Sequence, residues 1–200
     1  LSVRPQEILF NSCGTEGVNT VLRGMSQRFP KGHIVTSTAE HACVYATVKE
    51  LEGAGHPVTY LSPGLWGAVS PEAVQSALRP DTALIALMAV NNETGVKTDI
   101  EGIAAIAHQA RVPLFVDGVA LLGKESFAIP AGVSAMAFSG HKLHAPKGVG
   151  ILVLRANWKI PPLLTGGGQE YGKRGGTENV AGILALAEAI RLLGAELSTA

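Results

Sequence analysis

The sequence has two cysteines, Cys13 and Cys43, in 200 residues. They form neither a disulfide framework nor a CxxC metal site, so a reducing, cytoplasmic setting is expected. Neither sign of charge is in excess: 16 Lys plus Arg stand against 16 Asp plus Glu, and no basic stripe appears. That balance speaks against nucleic acid or an anionic membrane surface as the main partner. No apolar run reaches the roughly 18 residues of a membrane span. The opening LSVRPQEILF lacks the basic-then-apolar order of a secretory signal and has no initiator Met, so the chain is expected to be a fragment. There is no internal repeat, no low-complexity linker and no P-loop pattern. The one glycine-dense stretch, GGGQEYGKRGG (166–176), does not follow the first strand of a βαβ unit, so a nicotinamide-binding domain fits badly.

What is present is enough chain for one sizeable domain with a real core. Short apolar runs alternate with longer helical patterns. The predicted strands are EILF (7–10), HIVTS (33–37), VTYL (58–61), ALIALMAV (83–90), PLFVD (113–117), AMAF (135–138) and VGILVL (149–154). Between them lie EGVNTVLRGMSQRF, HACVYATVKELEGAG, PEAVQSALR and DIEGIAAIAHQAR, and a last helix is predicted in TENVAGILALAEAIRLLGAEL. Strands apolar on both faces and separated by helices predict an α/β fold with a mostly parallel sheet covered on two sides. Ligands in such folds bind beyond the carboxyl ends of the strands.

The residues following those strands form a polar set: NSCGTEG, TAEH, NNETG, Asp117 and SGHK. Asp117 ends an apolar strand, where a carboxylate costs several kcal/mol to bury unless a cation or donors meet it. A protonated pyridine nitrogen would serve, and so would a helix cap or a structural ion pair. Lys142 lies 25 residues further on, in the connection between two core strands. A lysine against a low-dielectric pocket can form a Schiff base with an aldehyde; alternatively its stem packs and its ammonium reaches water. Gly14 and Thr15 precede a helix start, which makes an anion site or an ordinary N-cap by Ser12 or Thr15. Ser139 and His141 offer further donors, or a local Ser turn. His41 can lie over an aromatic ring and handle protons, or serve the helix start; Asn92 can donate to a ring oxygen, or shape a turn.

Asp117 in VDGV, the lysine of SGHK, the histidine of AEH, NNETG and GGGQE…RGGTEN together resemble the pyridoxal-phosphate-dependent cysteine desulfurases of the class V aminotransferases. SCGTEGVN and HKLHAPKGVG resemble the nitrogen-fixation-type branch. The resemblance runs from Ile8 to about Ala187. It implies the large domain of fold type I over residues 1–200, with the family's N-terminal segment and C-terminal small domain absent. It implies a homodimer, L-cysteine as substrate, alanine as product, and sulfur passed to an acceptor or to iron–sulfur assembly. By position, Lys142 would carry the cofactor and shuttle the Cα proton, Asp117 would pair with the pyridine nitrogen, and His41 would stack on the ring and act in proton transfer. Gly14, Thr15, Ser139, Gly140 and His141 would hold the phosphate, Asn92 the ring hydroxyl side, and Thr177 the phosphate of a partner's cofactor.

The sequence departs from the family at three points. VDGVA has Ala120 where the family has a glutamine that bonds the ring's phenolic oxygen, and Tyr171 stands where the family has an arginine. Family members are also roughly twice as long, and their persulfide-forming cysteine and substrate-gripping arginine fall in the region not represented here. Buried small-hydrophobe roles are expected for Cys13 and Cys43. Two other readings stay open: another class V activity, such as selenocysteine lyase or aminotransferase, and a non-catalytic scaffold.

Overall fold

The structure, a computed structural model, describes residues 1–197. Seven strands form one sheet: β1 (Ile8–Asn11), β2 (His33–Ser37), β3 (Val58–Leu61), β4 (Thr82–Met88), β5 (Leu114–Asp117), β6 (Val133–Ser139) and β7 (Gly150–Leu154). Their spatial order is β1-β7-β6-β5-β4-β2-β3. From β6 through β3 all neighbours are parallel; β7 runs antiparallel to both β6 and β1. The predicted α/β fold with a mostly parallel sheet is therefore present. The reversal at β7 has a local cause. Only residues 140–149 join it to β6, with a single 3-10 turn over Gly140–Leu143, and a parallel return needs a crossover of a dozen or more residues.

Helices α1 (Gly14–Arg28) and α2 (Ala42–Gly53) cover one face. In α1, Val18, Val21, Leu22 and Met25 recur at helical spacing and are fully buried. Each such side chain stabilises the fold by about 1.5–3 kcal/mol relative to exposure. They meet Leu84, Phe115, Ala135, Ala137 and Leu152 on the sheet. The opposite face carries α3 (Pro71–Ala77), α4 (Ile100–Ala110) and α6 (Val180–Leu197), whose Val74, Ile103, Ala107 and Leu186 pack against Ile85, Leu87, Val116, Met136, Phe138 and Val153. With both faces covered, the central strands are apolar throughout, which explains the unbroken runs in the sequence.

The glycine-dense segment holds a short, kinked helical piece, α5 (Gln169–Gly172), in which Glu170 and Tyr171 take positive φ of 48° and 58°. It is tied back to the first strand: Phe10 N–H donates to Glu170 Oε2 at 3.0 Å, and the Arg174 guanidinium pairs with Glu16 at 2.9 Å. The α6 pattern begins three residues later than predicted, since Thr177, Glu178 and Asn179 precede its first residue, Val180.

Candidate active site

Because β7 is the only reversed strand, β1, β2, β4, β5 and β6 all end at one edge of the sheet. A cavity of about 780 Å³ opens there. Eight of the ten predicted site residues line it: Gly14, Thr15, His41, Asn92, Asp117, Ser139, His141 and Lys142.

Asp117 is the last residue of β5 and only 5% exposed. Its Oδ1 accepts the Val119 N–H at 3.0 Å, and no cation pairs with it among the described residues. Burial pushes its carboxyl above the ordinary range, against the pull of the Val119 N–H and of His41. A buried carboxyl with one donor and no counter-charge is a place for a cationic N–H.

The first turn of α1 faces the same space. Its N-cap, Cys13, makes no side-chain cap bond, and the N–H groups of Gly14 and Thr15 meet no acceptor among the described residues. The alternative of a Ser12 or Thr15 side-chain cap is therefore not realised. Gly14 is needed for closeness: a Cβ there would sit 2.7 Å from Val119 Cγ2. Free N–H groups, the helix dipole and an open cradle together suit an anion. Ser139 Oγ and His141 Nδ1 lie 2.9 Å apart at the same cavity, at the end of β6 and in the 3-10 turn that carries Lys142. Lys142 is exposed, and its Nζ has no hydrogen-bond or ion-pair partner among the described residues. An aldehyde-bearing aromatic phosphate with a protonatable ring nitrogen fits this donor set: Asp117 for the ring N–H, the α1 start for the phosphate, Lys142 for the carbonyl.

His41 is the N-cap of α2, and its Nδ1 accepts the Cys43 N–H at 3.1 Å. It thus fills the structural role and lines the cavity as well. In NNETG the two asparagines divide the work. Asn91 shapes the turn by accepting from the Glu93 and Thr94 N–H groups and donating to Ala39 O; Asn92 is left exposed at the cavity.

Two predicted residues lie apart from the cavity. The Gly140 N–H is committed to Val149 O at 2.9 Å, and a Cβ at Gly140 would meet that oxygen at 2.8 Å, so this glycine keeps β6 and β7 in contact. Thr177 is exposed and lies in a smaller recess with Asn11, Ser12 and Arg174.

Other residues enter unannounced. Cys13 and Cys43 are half-buried and both line the cavity, which corrects the expectation of buried hydrophobe roles. Their placement follows from the turns that hold Gly14 and His41, but the face each thiol takes is not written in a spacing. Lys124 adds a second exposed lysine at the cavity, and Ala120 lines it where the resemblance calls for a glutamine. Glu40, beside His41, is missed entirely: its Oε1 accepts the Ser37 hydroxyl at 2.6 Å, while Oε2 is buried without a partner.

Comparisons with known proteins give the family. The family model described as aminotransferase class-V matches residues 1–200. Cysteine desulfurase 2 of Trichormus variabilis is 43% identical over 194 residues, covering 96% of this chain and 49% of that protein. Cysteine desulfurase IscS of Methanosarcina thermophila is 40% identical over 200 residues, covering 98% and 50%. Among solved structures, a NifS-like protein superposes with a TM-score of 0.95 at 39% identity, over 100% of this chain and 56% of that one. A structure described as SspA in complex with cysteine gives 0.93 at 37%, over 96% and 56%. The chain spans about half the length of the curated relatives it matches. With the family model matched along its whole length, this chain belongs to the class-V aminotransferase family.

Proposed function

We propose that residues 1–200 are the pyridoxal-phosphate-binding large domain of a cysteine desulfurase, which takes sulfur from L-cysteine and leaves alanine. The observation that carries this reading is the buried, unpaired Asp117 in the cavity that Lys142 also lines. When bound, the cofactor supplies an electron-withdrawing ring that acidifies the Cα of an attached amino acid. Asp117 would keep the proton on the ring nitrogen. Gly14, Thr15, Ser139 and His141 would orient the phosphate, and Asn92 would stand on the ring hydroxyl side. Lys142 would hold the carbonyl carbon and then move the Cα proton, with His41 over the ring as a second proton carrier.

Cysteine as substrate is supported by the names of the relatives and by the solved neighbour in complex with cysteine. We do not assign sulfur acceptance to Cys43: burial first, and the Asp117 carboxylate second, push its thiol up to about 11, so it stays protonated. The exposed Thr177 is available to a second copy, which fits a homodimer in which it reaches the neighbouring phosphate. Transfer of the sulfur to an acceptor protein or to iron–sulfur assembly belongs to the same proposal.

The test is covalent trapping. Purified protein with pyridoxal phosphate should develop a visible absorbance band, and borohydride should fix the cofactor on the Lys142 peptide rather than the Lys124 peptide. The K142A variant should show neither band nor adduct. A folded protein that gives no adduct, or one trapped on Lys124, overturns the assignment.

A further inference from the structure

We propose that the cofactor-free cavity is also a metal site. His41, Cys43 and Asp117 bind a thiophilic divalent cation of the Zn²⁺ class there, and this ion and pyridoxal phosphate exclude one another. Only the exclusion rests on the reading above; the ion site stands on the three side chains. One ligand atom from each, an imidazole nitrogen, the thiol sulfur and a carboxylate oxygen, lie within 4.8 Å of one another, and no other group of three His, Cys, Asp or Glu residues qualifies among the described residues.

Zinc takes sulfur at about 2.3 Å and nitrogen or oxygen at about 2.0–2.2 Å, so tetrahedral neighbours stand roughly 3.3–3.8 Å apart. His41 Nδ1 and Cys43 Sγ are 2.9 Å apart, so that gap opens by less than about an ångström on binding. The Nδ1 lone pair passes from the Cys43 N–H to the ion, and any gap near the 4.8 Å limit closes by about an ångström. The supports are rigid. His41 and Cys43 flank the start of α2, and Asp117 ends a central strand. One outer contact is already formed: the Val119 N–H holds Asp117 Oδ1 and leaves its other oxygen free. The fourth position faces the cavity, which keeps the site open to water or a small thiol. One thiolate, one imidazole and one carboxylate select a borderline-soft ion over Mg²⁺ or Ca²⁺. Binding is not a redox step: the Cys43 S–H bond breaks, a sulfur–metal bond forms, and the proton passes to water. The ion would then occupy the Asp117 oxygen and the imidazole that the cofactor needs, which makes the two ligands competitors.

Cobalt(II) is the probe, added to the cofactor-free protein and followed by absorbance. A sulfur-to-cobalt charge-transfer band, with the visible bands of tetrahedral cobalt, should saturate at one equivalent. In C43S, with its fold checked by circular dichroism, the charge-transfer band should vanish and affinity should fall by more than about tenfold; K142A should keep both. One equivalent of Zn²⁺ should suppress borohydride trapping of pyridoxal phosphate on Lys142, and a chelator should restore it. No charge-transfer band in the parent protein, or a band that survives in C43S, overturns the ion site. Trapping that is indifferent to Zn²⁺ overturns the exclusion. Failure of trapping in metal-free protein overturns the cofactor reading alone, because the cobalt spectrum decides the ion site without it.

Discussion

Glu40 is the residue whose chemistry its position in the sequence does least to announce. Its carboxyl lies in the turn that follows β2, and burial pushes it up from an ordinary 4.5 to about 8, with Ser37 and Met88 pulling the other way and Asp117 adding to the rise. A carboxyl whose folded value lies above its unfolded value favours the protonated native state. Its contribution is complete below the unfolded value and is lost as pH rises through the folded one. Between 4.5 and about 8 the chain therefore loses stability as pH rises, by at most about 5 kcal/mol from this group. Glu40→Gln keeps the shape and cannot ionise. Urea unfolding at a series of pH values should show the parent declining across that window relative to E40Q. Parallel curves would mean that the carboxyl is solvated and charged in the native protein.

At the scale of elements, the site depends on how the β1–α1 turn is braced. Glu16 accepts the Ser12 N–H at 2.8 Å and pairs with Arg174, so one carboxylate ties the first turn of α1 to the glycine-dense segment. Although burial would raise it, these donors hold Glu16 below the usual range. Its contribution is present above the unfolded value and is lost as pH falls through the folded one. Glu16→Gln should cost about 1 to 3 kcal/mol at neutral pH, because the half-buried Arg174 loses its charged partner. It should cost less as pH falls, and denaturant midpoints at pH 7 and in acid would show the difference. The elements themselves were legible because each buried strand is a run of Val, Ile, Leu, Phe or Ala closed by a polar residue. The position of Lys142, Asp117 and His41 at the strand-end cavity is legible for the same reason. Strand composition does not give the direction of β7; the shortness of the 140–149 connection does. Gly140 lies apart from the cavity for a related reason, since its N–H is used by the β6–β7 join rather than left free as at Gly14. Glu40 and the two thiols depended on which way a side chain points at a turn, which alternation and spacing do not encode.

The whole molecule places its donors on strand ends that are far apart in sequence, so any ligand that bridges them stabilises the entire fold by mass action. At a hundredfold excess over its dissociation constant, pyridoxal phosphate should add about 2.7 kcal/mol, a rise of roughly 5–10 °C in melting temperature for a chain of this size. D117N should show a much smaller rise under the same conditions, since the ring nitrogen loses its anion. An equal rise in both proteins would place the binding energy elsewhere.

The pairing of Ile8 with Val153 has a consequence for how the molecule comes into being. Among the described residues the sheet neighbour of β1 is β7, so β1 stays an unpaired edge until Gly150–Leu154, about 140 residues later in the chain, has been made. The turn that leads into α1, and with it the anion cradle, is anchored only when that wait ends. Long-range closure of this kind is slow, so a ligand that needs this cradle should bind after β1 and β7 have paired and not before.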